Sequence, residues 1–181
     1  MLLDTPLCDF GWKAPDFTLS DPDGKAVTMS EQLGESGLLI AFICNHCPFV
    51  LDMAERLADD LAEMQASGVN VLAVMPNDYQ NYPSDSPEQM KRFAAKYGFT
   101  FPYLVDEGQS VARAYDAVCT PDFFGLNKGG ELQYRGRLDD QRMGDSSRTT
   151  KELVNAMKQI AETGRGPKEQ YPSMGCSIKW R

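Results

Sequence analysis

Two cysteines stand three residues apart in Cys44-Asn45-His46-Cys47-Pro48. That spacing brings two sulfurs within bonding reach when it crosses a strand–helix junction, and it suits thiol–disulfide exchange. The flanks predict such a junction. An apolar run over residues 38–43 precedes the pair, and a proline followed by a helical pattern comes after it. Free N–H groups and partial positive charge at a helix start favour a thiolate. The expectation is therefore a lowered pKa at Cys44, which attacks disulfides, with Cys47 one turn into the helix as the resolving thiol. His46, the one histidine of the chain, sits between them. A protonated imidazole there would stabilise the Cys44 thiolate further and make the pair more oxidising.

The same pair can be half of a zinc site. Structural zinc takes four ligands, and the chain has no second Cys-x-x-Cys and no histidine outside the motif. No metal and no cofactor are expected. The methionines of the following helix fall on its apolar stripe and read as core, not as copper ligands.

The elements that must hold the pair follow from periodicity. Residues 38–43 are continuously apolar, as in a central strand buried on both faces. After Pro48, Val50, Met53, Leu57, Leu61 and Met64 make one helix face, with Asp52, Glu55, Arg56, Asp59, Asp60 and Glu63 mostly on the wet side and Gly68 as the stop. Residues 69–75 are a second buried strand, parallel to the first. The polar loop 76–85 leaves its carboxyl end, where open α/β sheets bind ligands, so Tyr79 or Tyr82 is a candidate rim residue. Ser86-Pro87-Glu88-Gln89 begins a helix that stops at Gly98. Residues 106–109 cap another. Asn127-Lys128-Gly129-Gly130 turns a hairpin, and Thr149-x-x-Glu152 caps a last helix that ends at Gly164. Before the central strand, Asp21-Pro22-Asp23-Gly24 turns a smaller hairpin; residues 1–13 read as an irregular arm.

The 181 residues, 42% of them hydrophobic, suit one globular domain. A net charge of −8 disfavours nucleic acid or an anionic membrane as partner, and no apolar run approaches the ~20 residues of a membrane span. The first residues lack the basic start and long apolar core of a signal peptide, so the expected location is the cytoplasm. There a Cys-x-x-Cys is reduced and catalytic, and five cysteines fit poorly with a stapled secreted scaffold.

These motifs together resemble the thioredoxin-fold redoxins of the alkyl hydroperoxide reductase/thiol-specific antioxidant, peroxiredoxin-like branch. Ala14-Pro15-Asp16-Phe17-Thr18-Leu19 is similar to the opening of that branch. The cysteine pair after a strand matches the redox motif position, and Thr120-Pro121 is similar to the cis-proline that faces it. The resemblance covers about residues 12–163. It implies a thioredoxin-like α/β fold with a central mixed sheet flanked by helices, an N-terminal β-hairpin extension and an irregular C-terminal tail over 164–181, all one domain. It also implies that Pro121 shapes a groove beside the sulfurs and that the Thr120 backbone pairs with a substrate strand. The ending Gly175-Cys176-Ser177-Ile178-Lys179-Trp180 is similar to that of a Cys-x-x-Cys subgroup of peroxiredoxin-like proteins. Cys176 is a candidate third redox thiol that folds over the site onto Cys44; Cys8 and Cys119 read as packed small hydrophobes.

The sequence also departs from the branch. Peroxiredoxins place the peroxide-attacking cysteine where Cys47 stands. Their threonine or serine three residues earlier is Cys44 here, and their proline is Ile40. Their arginine near the cis-proline has no counterpart in residues 119–122, and the buried acid of thioredoxins falls on Leu38. The expected function is a thiol–disulfide oxidoreductase with an antioxidant, redox-homeostasis role. It would act on a protein or small-molecule disulfide or thiol with a separate reductant. The alternatives are a thiol peroxidase with a non-standard site, and a metal-binding or redox-sensing module of the same fold.

Overall fold

The computed structural model describes residues 1–148 and 150–181. Its strands are β1 (Leu2–Asp4), β2 (Thr18–Ser20), β3 (Ala26–Thr28), β4 (Leu38–Phe42), β5 (Asn70–Met75), β6 (Tyr103–Val105), β7 (Cys119–Thr120), β8 (Asp122–Leu126), β9 (Leu132–Tyr134) and β10 (Met174–Ser177). The helices are α1 (Met29–Gln32), α2 (Pro48–Ala66), α3 (Pro87–Tyr97), α4 (Ser110–Ala114) and α5 (Glu152–Thr163).

Seven strands form one mixed sheet in the order β3-β2-β6-β5-β4-β8-β9. β4 lies parallel to β5 and β5 to β6, whereas β8 runs antiparallel to β4. All five residues of β4 are buried, because both faces of the sheet are covered. Leu39 and Ala41 face the core shared with α2 and α5, while Leu38, Ile40 and Phe42 pack with Leu72, Tyr115 and Phe124 on the other side. The β2–β3 hairpin turns at the expected aspartate–proline–glycine segment and extends the sheet through Ser20 opposite Val105.

Local signals set several boundaries. Ser86 Oγ accepts the Gln89 N–H and caps α3, with Pro87 at its first position. Asp106 accepts the N–H groups of Val111 and Ala112 at the start of α4. Gly98 and Gly164 end α3 and α5 in the left-handed region (φ 67° and 74°), where a side chain would be strained. The Thr149 capping expectation falls on a residue outside the described ones; α5 has Lys151 at its N-cap.

Three expectations change. Asp60 is buried rather than wet, since Arg148 reaches over α2 and binds both its oxygens at 2.6 and 2.9 Å. Residues 1–13 include a strand, and the C-terminal segment includes another. β1, β10 and β7 form a second small antiparallel sheet, with β10 in the middle. The tail's polarity hid this, because β10 is only four residues long and is held by partners more than 50 residues away in the chain. Ile178 is buried in the core, Ser173 Oγ donates to the Pro121 carbonyl at 2.8 Å, and the Asp78 N–H donates to the Lys179 carbonyl at 2.8 Å.

Candidate active site

The pair lies where β4 ends. Pro48 has no N–H and a φ preset for a helix, so it takes the first helical position. That makes Cys47 the N-cap of α2, and its carbonyl accepts the first helical bond from the Leu51 N–H at 2.9 Å. Cys44 stays in the loop before the helix. This corrects the expected placement of Cys47 one turn inside α2. The helix start therefore acts on Cys47, not Cys44.

The charge follows. The Cys47 thiol is pulled down to about 4, first by the Cys44 thiol donating to it. The backbone N–H groups of Val50 and Cys176 and the Cys176 thiol add further donors, against the opposing effect of burial. One contact favours the proton: a protonated Cys47 donates to the Thr120 carbonyl at 3.2 Å. Cys44 is pushed well up, first because it is the donor to Cys47, then by burial and the nearby Asp85 carboxylate, with the Thr120 hydroxyl at 3.3 Å opposing. Burial, then the bond to Cys47, raises Cys176 to about 11. The pull thus falls on Cys47, first through its bond with Cys44, rather than on Cys44 as expected.

His46 is held from the other side. Its Nδ1 lies 2.7 Å from Asp85 Oδ2, off the line of the ring N–H, so the contact is electrostatic rather than an aligned hydrogen bond. Asp85 raises the His46 pKa despite partial burial. The Asp85 carboxylate is fully buried and also accepts the Asn45 N–H at 2.8 Å and the Asn77 side-chain amide at 2.9 Å. Tyr103 donates to Asn45 Oδ1 at 2.8 Å and fixes the loop between the cysteines. Tyr82 stacks on His46, with ring centroids 6.1 Å apart and planes at 6°. Of the two candidate rim tyrosines it is therefore the one at the site; Tyr79 donates to Glu107 at 2.6 Å. An open cleft of about 640 Å³ begins at Asn45 and His46 and runs along α3.

Sequence reasoning missed Asp85. The loop after β5 is legible as a ligand-binding edge, but nothing local marks which of its acids meets the cysteine loop. Cys44 Sγ, a His46 nitrogen and an Asp85 oxygen lie within 4.8 Å of one another, a donor set able to meet a cation. The Asp85 oxygens, however, are already engaged by three protein groups.

The Thr120–Pro121 bond is cis, and Thr120 presents both its hydroxyl and its carbonyl to the sulfurs. Its outer edge is not free for another strand, as the sequence suggested, because β10 lies on it with Cys176 opposite Thr120. Cys176 is at the site, but it meets Cys47 and not Cys44. Arg135, further along the chain than the expected arginine position, binds Asp122 at 2.9 and 3.2 Å and the Asp116 carbonyl at 2.9 Å.

Residues 10–135 match the AhpC/TSA family. The chain belongs to that family. It is 28% identical over 130 residues to the thiol-disulfide oxidoreductase ResA of Halalkalibacterium halodurans, covering 71% of this chain and 69% of ResA. Peroxiredoxin Bcp of Escherichia coli is 29% identical over 117 residues, covering 65% of this chain and 70% of Bcp. Among solved structures, an uncharacterized conserved protein of Geobacillus kaustophilus superposes with a TM-score of 0.93 at 40% identity, over 100% of this chain and 97% of that one. The AhpC/TSA chain therefore has a thioredoxin-like α/β fold and a thiol-based redox function, and it is an oxidoreductase.

Proposed function

We propose that the chain is a thiol–disulfide oxidoreductase in which Cys47 attacks and Cys44 resolves. The observation that supports this reading is the place of Cys47 at the N-cap of α2, where Cys44, Val50 and Cys176 lower its thiol pKa. A thiolate is the nucleophile in exchange, and a low pKa keeps it populated at neutral pH. Cys47 S⁻ attacks one sulfur of a protein or small-molecule disulfide. That S–S bond breaks, a Cys47 mixed disulfide forms, and half of the substrate leaves as a thiolate. Cys44 then loses its proton toward His46 and Asp85, within 4.8 Å of its sulfur, and attacks Cys47. The second half leaves, so two substrate thiols and a Cys44–Cys47 disulfide result. A separate thiol reductant reverses the pair. Until that step, the bond to Cys47, burial and then the Asp85 carboxylate keep Cys44 protonated.

A second reading rests on Cys47 occupying the position of the peroxide-attacking cysteine in the resemblance. The same thiolate would take the terminal oxygen of a hydroperoxide, become a sulfenic acid and condense with Cys44, releasing water. Against it, the Arg135 guanidinium is engaged by Asp122.

The test is a redox titration of the purified protein against glutathione, alongside a hydrogen peroxide consumption assay with a thiol reductant. The oxidoreductase reading expects a reversible two-electron couple between about −120 and −270 mV and slow peroxide loss. No reversible couple would overturn it, and fast peroxide turnover would favour the second reading.

A further inference from the structure

Cys44 and Cys47 are 1% and 0% exposed, so substrate and reductant alike need a way in to the pair. β10 lies on the Cys47 side. Its register sets Cys176 opposite Thr120, the residue whose hydroxyl and carbonyl face the two sulfurs. Cys176 packs against the core cluster that holds Cys44 and Cys47, and its N–H and thiol favour the Cys47 thiolate. The strand lies flush against β7: a Cβ on Gly175 would run into the Thr120 carbonyl. β1 backs the strand on its other edge, with Leu2 opposite Cys176, and the Ser177 N–H donates to the Met1 carbonyl at 2.8 Å. β10 thus occupies the edge where an extended substrate strand was expected, and it presents a cysteine there.

Cys176 differs from the buried pair in being only partly covered. A thiol reductant can therefore reach Cys176 at the surface, next to Met174 of the same strand, which is 44% exposed.

We propose that Cys176 is a relay thiol that carries the oxidised state from the Cys44–Cys47 pair to the protein surface. This deepens the function proposed above and rests on it. The step is one intramolecular exchange. Cys176 gives up its proton and its thiolate attacks the Cys47 sulfur of the Cys44–Cys47 disulfide. The Cys47–Cys176 bond forms, the Cys44–Cys47 bond breaks, and Cys44 leaves as a thiolate that takes a proton through His46 and Asp85. No electrons are gained or lost overall. An external thiol then attacks Cys176, frees Cys47 as its thiolate and leaves a mixed disulfide on the tail. A second external thiol clears that mixed disulfide and releases Cys176.

The test removes each partner in turn. Reduced Cys44→Ser protein is treated with one equivalent of oxidised glutathione, quenched in acid, and mapped by peptide mass spectrometry. The proposal expects a Cys47–Cys176 crosslink in most chains. It also expects reduction of the oxidised wild-type protein by glutathione to slow at least tenfold in Cys176→Ser. A Cys44→Ser product carrying glutathione on Cys47 with Cys176 free would overturn it, as would equal reduction rates. Cys44→Ala repeats the trap in case the serine variant fails to fold. In Gly175→Val, which has a side chain aimed at the Thr120 carbonyl but keeps all five thiols, the relay expects reduction to slow as it does in Cys176→Ser. Formation of the Cys44–Cys47 disulfide in Cys176→Ser is read separately. Its absence would remove the oxidoreductase reading, whereas its presence with no crosslink would remove only the relay.

Discussion

Cys47 and Cys119 sit on the two sides of Thr120, one touching its carbonyl and the other preceding it in β7, and neither has any exposed surface. Burial alone would push both thiols up. Cys119 is indeed pushed far up, by burial first and then by the Asp122 carboxylate; its thiol donates to the Pro121 carbonyl at 3.6 Å. Cys47 is pulled down to about 4, first by the Cys44 thiol and then, against burial, by the Val50 and Cys176 backbone N–H groups and the Cys176 thiol. The two regions share a dielectric environment and differ in donors. Donors, not exposure, separate a reactive cysteine from a structural one here.

Activity breaks this comparison open most widely. Cys47→Ser should lower the rate of disulfide exchange by about three orders of magnitude or more, while Cys119→Ser should stay within about twofold; a stopped-flow assay with a small disulfide distinguishes them. On the Cys119 side the largest effect is on stability. Arg135→Ala leaves Asp122 charged and unpaired in the core and should cost about 3–5 kcal/mol in urea unfolding. The Cys47 titration should survive in whatever fraction stays folded.

Smaller effects sharpen the picture. Asp85→Asn should lower both the Cys44 thiol pKa and the His46 pKa, since the carboxylate raises each. With one histidine in the chain, ring proton chemical shifts follow His46 without assignment work. The pH dependence of stability has a defined sign. Cys47 is depressed on folding, so its contribution is full above its ordinary value near 9 and is lost as pH falls toward 4. Reduced wild-type protein should therefore lose stability from pH 8 to 5 relative to Cys47→Ser. His46 acts oppositely: its raised pKa stabilises fully below the ordinary 6.5, and that share is lost as pH rises through the folded value. Subtracting the variant's curve from the wild type's leaves Cys47 together with the part of the His46 shift that the Cys47 charge causes.

Much of this was legible in the residues. The apolar run of β4, the stripe of α2, the Ser86 cap and the Asn127 turn are local signals, and local structure obeyed them. Thr120-Pro121 was placed opposite the pair through the family resemblance. What escaped depends on contacts far apart in the chain. β1 and β10 are too short and too polar for periodicity to show, and their pairing joins residues 2–4 to residues 174–176. Asp60 looks wet until Arg148 is folded over it. Asp85 is one of two acids in its loop, both buried, and it is set apart by its contacts with Asn45, His46 and Asn77. The placement of the two cysteines turns on a single residue: Pro48 fixes where α2 begins, and so puts Cys47 at its N-cap and Cys44 in the loop before it.

Ultraviolet titration of thiolate absorbance in the reduced wild-type protein and in Cys44→Ser, Cys47→Ser and Cys119→Ser tests the assignment of charge most directly. A Cys47 thiolate requires a step near pH 4 in the wild type that is absent from Cys47→Ser and unchanged in Cys119→Ser. In Cys44→Ser the step should persist, moved upward only as far as the shorter serine side chain holds its hydroxyl away from the Cys47 sulfur. An acid step that survives in Cys47→Ser and disappears in Cys44→Ser would contradict it and return the nucleophile to Cys44.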